Sequence, residues 1–290
     1  MRQSRPRIRE FLVDWLGISV SKGCLSKCIA EGGRAASQLE DEFMTEIQQS
    51  ELLYVDETGW KENGKTTWLW VLKTVTVTFY VIGSRSWNTI ADIMENFAGW
   101  LMSDGYGQYR NYGKRLRCLA HIIRKARGVS ESCHPEAAEF GKKVLEIINI
   151  FIRGIYEARG DPALDLRERY SQKLEELKDL CQKYRDHDHD KTKKLARELL
   201  NDWDAIWNVL RYPQMPITNN LAERALRHWV ISRKISYGTR TKQGSRTYAI
   251  LASLIDTCRQ RNVSPWDYIA QVIEARRKNN PAPSLPEPVV

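Results

Sequence analysis

The sequence of 290 residues has no long hydrophobic run and only six cysteines. Its first ten residues are charged and lack the apolar segment of a signal peptide. The apolar stretch at 144–152 contains a Glu and is far shorter than a bilayer requires. The cysteines show no disulfide-like framework, which indicates free thiols, mostly packed, in a reducing compartment. These absences exclude a disulfide scaffold and a membrane-spanning protein, and they predict a cytoplasmic location.

Positive charge is abundant and unevenly placed. The formal net charge is +9, and residues 217–280 hold twelve Lys and Arg against four Asp and Glu, a net charge of +8. Basicity confined to one segment, without a membrane signature, favours a polyanionic partner and nucleic acid first. A solvated basic helix is the alternative interpretation.

The N-terminal pattern predicts two short helices within residues 7–37. The first ends at Gly17, a typical helix C-cap. The pair is either a helix-turn-helix-like unit or a packing hairpin, and packing is slightly favoured. Cys24 and Cys28 lie four residues apart, and we interpret them as core thiols because no second cysteine pair has zinc-finger spacing.

Residues 51–83 change to a strand pattern. Three segments rich in β-branched and aromatic residues are separated by short turns such as "ENGK", which predicts an antiparallel meander. A helix is expected over 88–101 with Asn88 as N-cap. Two further strands are expected on either side of "DGYG". This order suits an α/β or α+β domain.

Residues 135–211 are predicted to be helical almost throughout, as an all-α insertion or second domain. The "DHDHD" segment at 186–190 suggests a metal site, but residues two apart diverge on a helix, so a solvated linker is favoured. The last ten residues contain four prolines and predict a disordered tail.

Three acidic residues stand out together. Asp56 and Asp104 each follow an apolar run that reads as the end of a strand, and Glu223 lies in the first turn of a basic helix. Singly, the aspartates suit turn chemistry, and Glu223 suits a capping box with Asn220. Converging carboxylates, however, are what two Mg²⁺ ions need for phosphodiester displacement.

The helix that carries Glu223 also carries cationic residues suited to a phosphate backbone. Arg227 stands four residues after Glu223, so an intrahelical ion pair is an alternative. Tyr237 adds an aromatic group of the kind that grips DNA, whereas Trp229 is expected in the core. The cations expected to contact DNA are Arg224, Arg227, Arg233, Lys234, Arg240, Lys242 and Arg246.

Four segments together resemble the insertion-sequence-66 family of bacterial transposases. They are "YVDETGW", "LMSDGYGQY", "CLAHIIRKA" and the block beginning "ITNNLAERALRHWVISRK". The resemblance runs from about residue 8 to 272. It implies a DDE recombinase with an α/β, ribonuclease-H-like core: a mixed five-stranded sheet with flanking helices, interrupted by an all-α insertion.

The resemblance also implies roles for individual residues. Asp56, Asp104 and Glu223 match the catalytic, metal-binding triad, with two Mg²⁺ ions for which Mn²⁺ can substitute. Cys118 and His121 match a Cys-x-x-His placed after the second Asp, for which packing or support of the site is favoured, and Asn219 and Asn220 are also expected to support the site. The implied partner is double-stranded DNA, both element ends and target, bound by a homo-oligomer at the nucleoid.

The implied domain organisation has five parts. They are a helical N-terminal segment (1–45), the first part of the core (46–130), the helical insertion (131–214), the second part of the core (215–275) and the tail (276–290).

Family members are longer at the N-terminus, with a coiled-coil-like segment and a cysteine-containing DNA-binding region that this sequence lacks. The sequence therefore predicts a transposase, with a truncated, non-catalytic DNA-binding remnant of regulatory role as the alternative. A two-carboxylate hydrolase of small substrates ranks behind both, because it leaves the basic segment unexplained.

Overall fold

The computed structural model describes residues 4–160 and 165–288. Five strands form one mixed sheet in the order β3-β2-β1-β4-β5, which confirms the predicted ribonuclease-H-like fold class. The first three strands are antiparallel neighbours, and the last two are parallel. The strands are β1 (Leu52–Glu62), β2 (Lys65–Lys73), β3 (Thr78–Gly83), β4 (Trp100–Ser103) and β5 (Arg115–Arg117).

Helices make up most of the remaining chain. None of the helices in the described residues is long and apolar enough to cross a membrane. The helices are α1 (Arg5–Leu16), α2 (Lys22–Ala36), α3 (Glu40–Gln48), α4 (Ala91–Met94), α5 (Leu119–Ser130), α6 (Pro135–Ala158), α7 (Leu166–Arg169), α8 (Ser171–Tyr184), α9 (Asp190–Asn201), α10 (Trp203–Arg211), α11 (Asn220–Ser236), α12 (Lys242–Gln260) and α13 (Pro265–Arg277).

The chain divides into two compact units. The first unit comprises Met1–Gly99 and Asn220–Val290, and the second comprises Trp100–Asn219. In the second unit, helices α5 to α10 enclose a core that includes Phe140, Phe151 and Trp207. The helical character predicted for residues 135–211 is therefore confirmed outside 161–164, which lie outside the described residues, and "DHDHD" links α8 to α9.

The hairpin between β1 and β2 shapes the first unit. Asn63 and Gly64 both have positive φ, 49° and 80°, as a two-residue hairpin turn of this twist requires. The turn predicted at "ENGK" is confirmed. The prediction that the first strand ends at Asp56 is wrong, because pairing continues from Asp56 opposite Val71 to Glu62. Asp56 is only half-buried, so one acid does not stop the ladder.

The prediction of a helix over 88–101 is also wrong. The chain forms only a 3₁₀ turn, Trp87–Thr89, then the single turn of α4, and it enters β4 at Trp100. Asn88 is not the N-cap, since its backbone N–H donates to the hydroxyl of Ser86. Local polar capping and strand pairing override the helical spacing here.

The N-terminal helices follow the prediction in outline. α1 ends at Gly17, which has φ 64°. The buried face of α2 consists of small residues near its C-terminus, including Gly33 and Ala36, and this helix packs against α12 and α13. All six cysteines are free thiols, as predicted, but Cys24 and Cys28 are exposed, so their assignment to the core is wrong. Both cysteines precede the part of α2 that is buried, which begins at Gly32.

Residues 278–288, the described part of the chain beyond α13, form neither helix nor strand, yet they are attached to the first unit. Leu285 is buried, and its backbone N–H donates to Glu42 at 2.7 Å. The carbonyl of Pro283 accepts from the hydroxyl of Tyr268 at 2.7 Å, and the carbonyl of Pro286 accepts from Arg261 at 2.8 Å. The disorder expected at 276–290 does not hold for these residues, because their free carbonyls find side-chain donors.

Buried charge holds β5 to the helices of the second unit. Asp202, only 1% exposed at its side chain, accepts hydrogen bonds from Arg110, Arg115 and Arg117. Arg117 is fully buried and also pairs with Glu198 at 2.6 Å. Burial alone would raise the pKa of Asp202, but the three guanidinium groups outweigh it and hold that pKa below its ordinary value.

Asp202→Asn is expected to destabilise the protein by about 3–5 kcal/mol, because it leaves buried arginines without their counter-charge. Asp204→Asn is the matched control: Asp204 also pairs with an arginine, Arg167, but is 80% exposed, so about 0.2–1 kcal/mol is expected. Urea unfolding followed by circular dichroism measures both. Equal effects of the two substitutions would contradict this account of the cluster.

The lowered pKa of Asp202 makes the stability of the protein depend on pH. Because the folded-state pKa of Asp202 lies below the ordinary 3.8, its stabilisation is present above that pH and is lost as the pH falls further. The stability difference between wild type and Asp202→Asn should therefore be constant near neutrality and shrink below about pH 4. Urea midpoints measured from pH 6 to pH 3 test this. A difference that grows on acidification would show the sign to be wrong.

Candidate active site

The two adjacent acids of β1 face opposite sides of the sheet. Asp56 pairs in register with Val71, which pairs with Tyr80, so these three side chains share one face. Glu57 points the other way and forms an ion pair with Arg85 at 2.9 Å. Of these two acids, Asp56 is therefore the one on the face of Tyr80, and its Oδ1 accepts from the backbone N–H of Glu57.

Helix α11 places Glu223 in its first turn, as predicted. A stripe of Ala222, Leu226 and Trp229 is buried, at the spacing of one helix face. Glu223 stands beside that stripe, and its Oε1 is buried. The helix begins at Asn220, three residues before Glu223, and the capping box of these two residues stays a prediction.

Side chains fix α11 on the face of the sheet that carries Asp56. The hydroxyl of Tyr80 lies 3.2 Å from the carbonyl of Ala225 in α11 and 2.8 Å from the carboxylate of Asp256 in α12. Trp229 of α11 donates to the same carboxylate at 3.0 Å. Asp56 and Glu223 thus belong to one unit and to the same side of its sheet.

Asp104 directly follows β4 in the second unit, where the sequence placed it. Its Oδ1 accepts from the backbone N–H of Tyr106 at 2.8 Å, the local turn chemistry expected of an aspartate. In the part of the chain that the structure describes, Oδ2 accepts no hydrogen bond. Gly105 lies against a buried ion pair: an added Cβ would meet Arg117 Nη2 at 2.6 Å and Glu198 Oε1 at 2.7 Å.

Cys118 and Asn219 meet in the second unit although they are 101 residues apart. The backbone N–H of Asn219 donates to Cys118 Sγ at 3.2 Å, and Leu119 N–H donates to the carbonyl of Ile217 at 2.8 Å. Burial raises the pKa of the Cys118 thiol, but hydrogen bonds from His121 and Asn219 outweigh burial and leave this pKa below its ordinary value. This contact fixes the segment that leads into α11.

The predicted DNA-contacting cations fall into two groups. Arg233 is partly buried and donates to the carbonyl of Gly59 in β1, and Arg246 pairs with Glu40 at 2.6 Å. The other five are exposed, and none of them forms an ion pair with a described residue. These five are Arg224, Arg227, Lys234, Arg240 and Lys242.

Sequence reasoning missed the buried charges that position the strand ends. Nothing in the spacing of Arg117, Glu198 and Asp202 predicts that they meet, because they are 81 and 85 residues apart. Gly105 carried a signal, since an Asp-Gly pair after a strand indicates a turn. Its structural reason is different, however: the glycine makes room for the ion pair.

Comparison with known proteins identifies a family for most of the chain. A family model described as "Transposase IS66 family" matches residues 5–247, a range that contains all three acids. Among curated proteins of Sinorhizobium fredii, the uncharacterized protein y4qI is 25% identical over 303 residues, which cover 93% of this chain and 56% of that protein. The uncharacterized protein y4jD is 29% identical over 209 residues, covering 66% of this chain and 40% of that protein. The chain spans about half the length of the curated relatives it matches.

Gly105→Ala is expected to destabilise the second unit by about 1–3 kcal/mol, because the added methyl group displaces the Arg117–Glu198 pair. Gly107→Ala is the control: a Cβ there has no neighbour within 4 Å, so a change within about 0.5 kcal/mol is expected. Urea unfolding of both variants measures the difference. If Gly105→Ala is as stable as wild type, the packing described for Asp104 and its neighbour is incorrect.

Proposed function

The chain belongs to the IS66 family of DDE transposases, and from that premise we propose that it cleaves phosphodiester bonds at the ends of an insertion sequence and joins the freed 3′-hydroxyl to target DNA. Family membership implies a polynucleotidyl transferase. The observation that carries the proposal is the family match across residues 5–247, a range that contains Asp56, Asp104 and Glu223, the triad that the resemblance implies.

The donor set fits a divalent metal ion. We propose that the carboxylates of Asp56, Asp104 and Glu223 hold two Mg²⁺ ions, since Mg²⁺ prefers carboxylate oxygens and enzymes of this family typically use divalent metals. Asp104 has an oxygen available for this role, because only Oδ1 is engaged in the local turn. The bound metal would supply charge neutralisation at the attacking and leaving oxygens.

The protein's own residues supply position and charge. Asp256 and Tyr80 orient α11, and the helix therefore presents Glu223 and its exposed arginines as one rigid body. Arg224 and Arg227 follow Glu223 within one turn and have no ion-pair partner in the described residues, so they can bind the phosphates that flank the reacting bond. Arg233 is assigned instead to the fold, because it bonds to β1.

The segment around Cys118 is proposed to support the site rather than to react. The Cys118 thiol, which is hydrogen-bonded to His121, accepts from the backbone N–H of Asn219, the residue that precedes α11. Asn219 is fully buried. The pairing of two DNA ends generally requires at least a dimer, so we propose a homo-oligomer on double-stranded DNA.

Neutralising any one acid should abolish nicking of supercoiled plasmid in Mg²⁺ or Mn²⁺. Asp56→Asn, Asp104→Asn and Glu223→Gln are each expected to lower the rate by at least about 10²-fold, the effect of removing one preorganised charge. DNA affinity should stay nearly unchanged, because phosphate binding rests on other residues.

Glu57→Gln is the matched control, since this acid adjoins Asp56 but faces Arg85 on the other side of the sheet. It should nick like wild type. Binding of DNA by wild type without any nicking would instead support the non-catalytic alternative, and equal losses in Glu57→Gln and Asp56→Asn would remove the assignment of Asp56.

A further inference from the structure

The turn between α11 and α12 contains a residue whose type does not suit its backbone. We call residues 236–241 the α11–α12 turn. Tyr237 has φ 57°, in the left-handed region that disfavours large side chains. At the other positive-φ positions of the described chain the residue is always Asn or Gly, which adopt this conformation readily. Tyr237 is the exception.

The side chain of Tyr237 contributes no contact that would offset this strain. It is 82% exposed, the most exposed of the large hydrophobic residues that the structure describes. Among the described residues it makes no side-chain hydrogen bond and no ring contact, whereas its backbone N–H bonds to the carbonyl of Arg233. A strained residue that gives the fold no contact is a marker of function.

The turn itself is held firmly against the β1–β2 hairpin. Thr239 N–H donates to the carbonyl of Lys61 at 2.9 Å, and the carbonyl of Thr239 accepts from Asn63 N–H at 2.8 Å. Trp60 donates to the hydroxyl of Thr239 at 3.1 Å. At Gly238 an added Cβ would lie 2.0 Å from the Lys61 carbonyl, so only glycine permits this approach. Tyr237 therefore projects from a fixed platform.

The surroundings of the exposed ring are strongly cationic. No Asp or Glu occurs between residues 224 and 255. Lys234, Arg240 and Lys242 lie within five residues of Tyr237, are exposed, and pair with no described acid. Glu62, on the hairpin that anchors the turn, accepts from the hydroxyl of Ser245. An aromatic ring set among free cations is the arrangement that binds unpaired nucleotides, by stacking on bases and attracting phosphates.

We propose that Tyr237 is a stacking site for an unpaired DNA base, with the adjoining phosphates bound by Lys234, Arg240 and Lys242. In an intact duplex every internal base is already stacked, so a projecting ring gains most at a terminal or separated base. The site would thus favour strand ends over continuous duplex. This inference rests on the proposed function, because it presupposes a DNA substrate.

The full chain is titrated with two DNAs of the same duplex sequence in a salt series. One has both ends closed by hairpin loops of inert linker, and the other carries a four-nucleotide 3′ overhang containing 2-aminopurine. Wild type should bind the overhang DNA about 10-fold more tightly and quench the 2-aminopurine fluorescence, as stacking of one base predicts.

Tyr237→Asn is the key variant, because asparagine accepts positive φ and so keeps the turn while removing the ring. It should lose the preference and the quenching, with unchanged affinity for the closed duplex and a melting temperature no lower than that of wild type, since asparagine relieves the backbone strain. Tyr237→Trp should retain both signals. Trp266→Ala is the matched control: Trp266 is also exposed, at 68%, but lies outside the turn beside Asp267, so both signals should persist.

The outcomes separate the two proposals. A preference that survives in Tyr237→Asn overturns the stacking site, as does an equal loss of affinity for both DNAs, which would assign Tyr237 to duplex binding. Failure of wild type to bind either DNA would overturn the proposed function together with the stacking site.

Discussion

The carboxylate of Asp256 is the contact on which the first unit's part of the candidate site depends. It accepts from Tyr80 on β3 and from Trp229 on α11, and so joins a strand and two helices at one partly buried point. Burial and the neighbouring carboxylate raise the pKa of Tyr80 well above its usual range, which keeps its hydroxyl protonated and able to donate. The orientation of Glu223 follows, because its helix cannot rotate without breaking these bonds.

A second set of contacts fixes the far end of the same helix. Arg233 donates to the Gly59 carbonyl, and in the α11–α12 turn that follows, Thr239 N–H donates to the carbonyl of Lys61. The exposed cations on α11 therefore stand on a scaffold that is tied to the sheet at both ends. Preorganised charge of this kind binds phosphate without a large ordering cost, because the side chains alone must settle.

The features that the sequence predicted correctly are those set by local pattern. Alternating apolar residues and the Asn63–Gly64 pair identify the hairpin, and the apolar run before Asp104 identifies β4. What local pattern could not show was the role of long-range pairing. β1 continues past Asp56 because β2 supplies hydrogen-bond partners, and the partners of Asp202 are about 90 residues away in the chain. The strained backbone of Tyr237 was hidden for the same reason, since the anchored hairpin imposes it.

Burial decides which arginines serve the fold and which remain for a ligand. Arg117 is fully buried, and a buried guanidinium without counter-charge would be unstable, so it must pair with Asp202 and Glu198. Arg240 is exposed in a segment without acids, so water solvates its charge until an anionic ligand binds. The buried Arg117 is thus neutralised by neighbouring acids, whereas residues 217–280, with a net charge of +8, keep exposed cations such as Arg240. That asymmetry, rather than the total charge of the chain, is what a DNA phosphate backbone would detect.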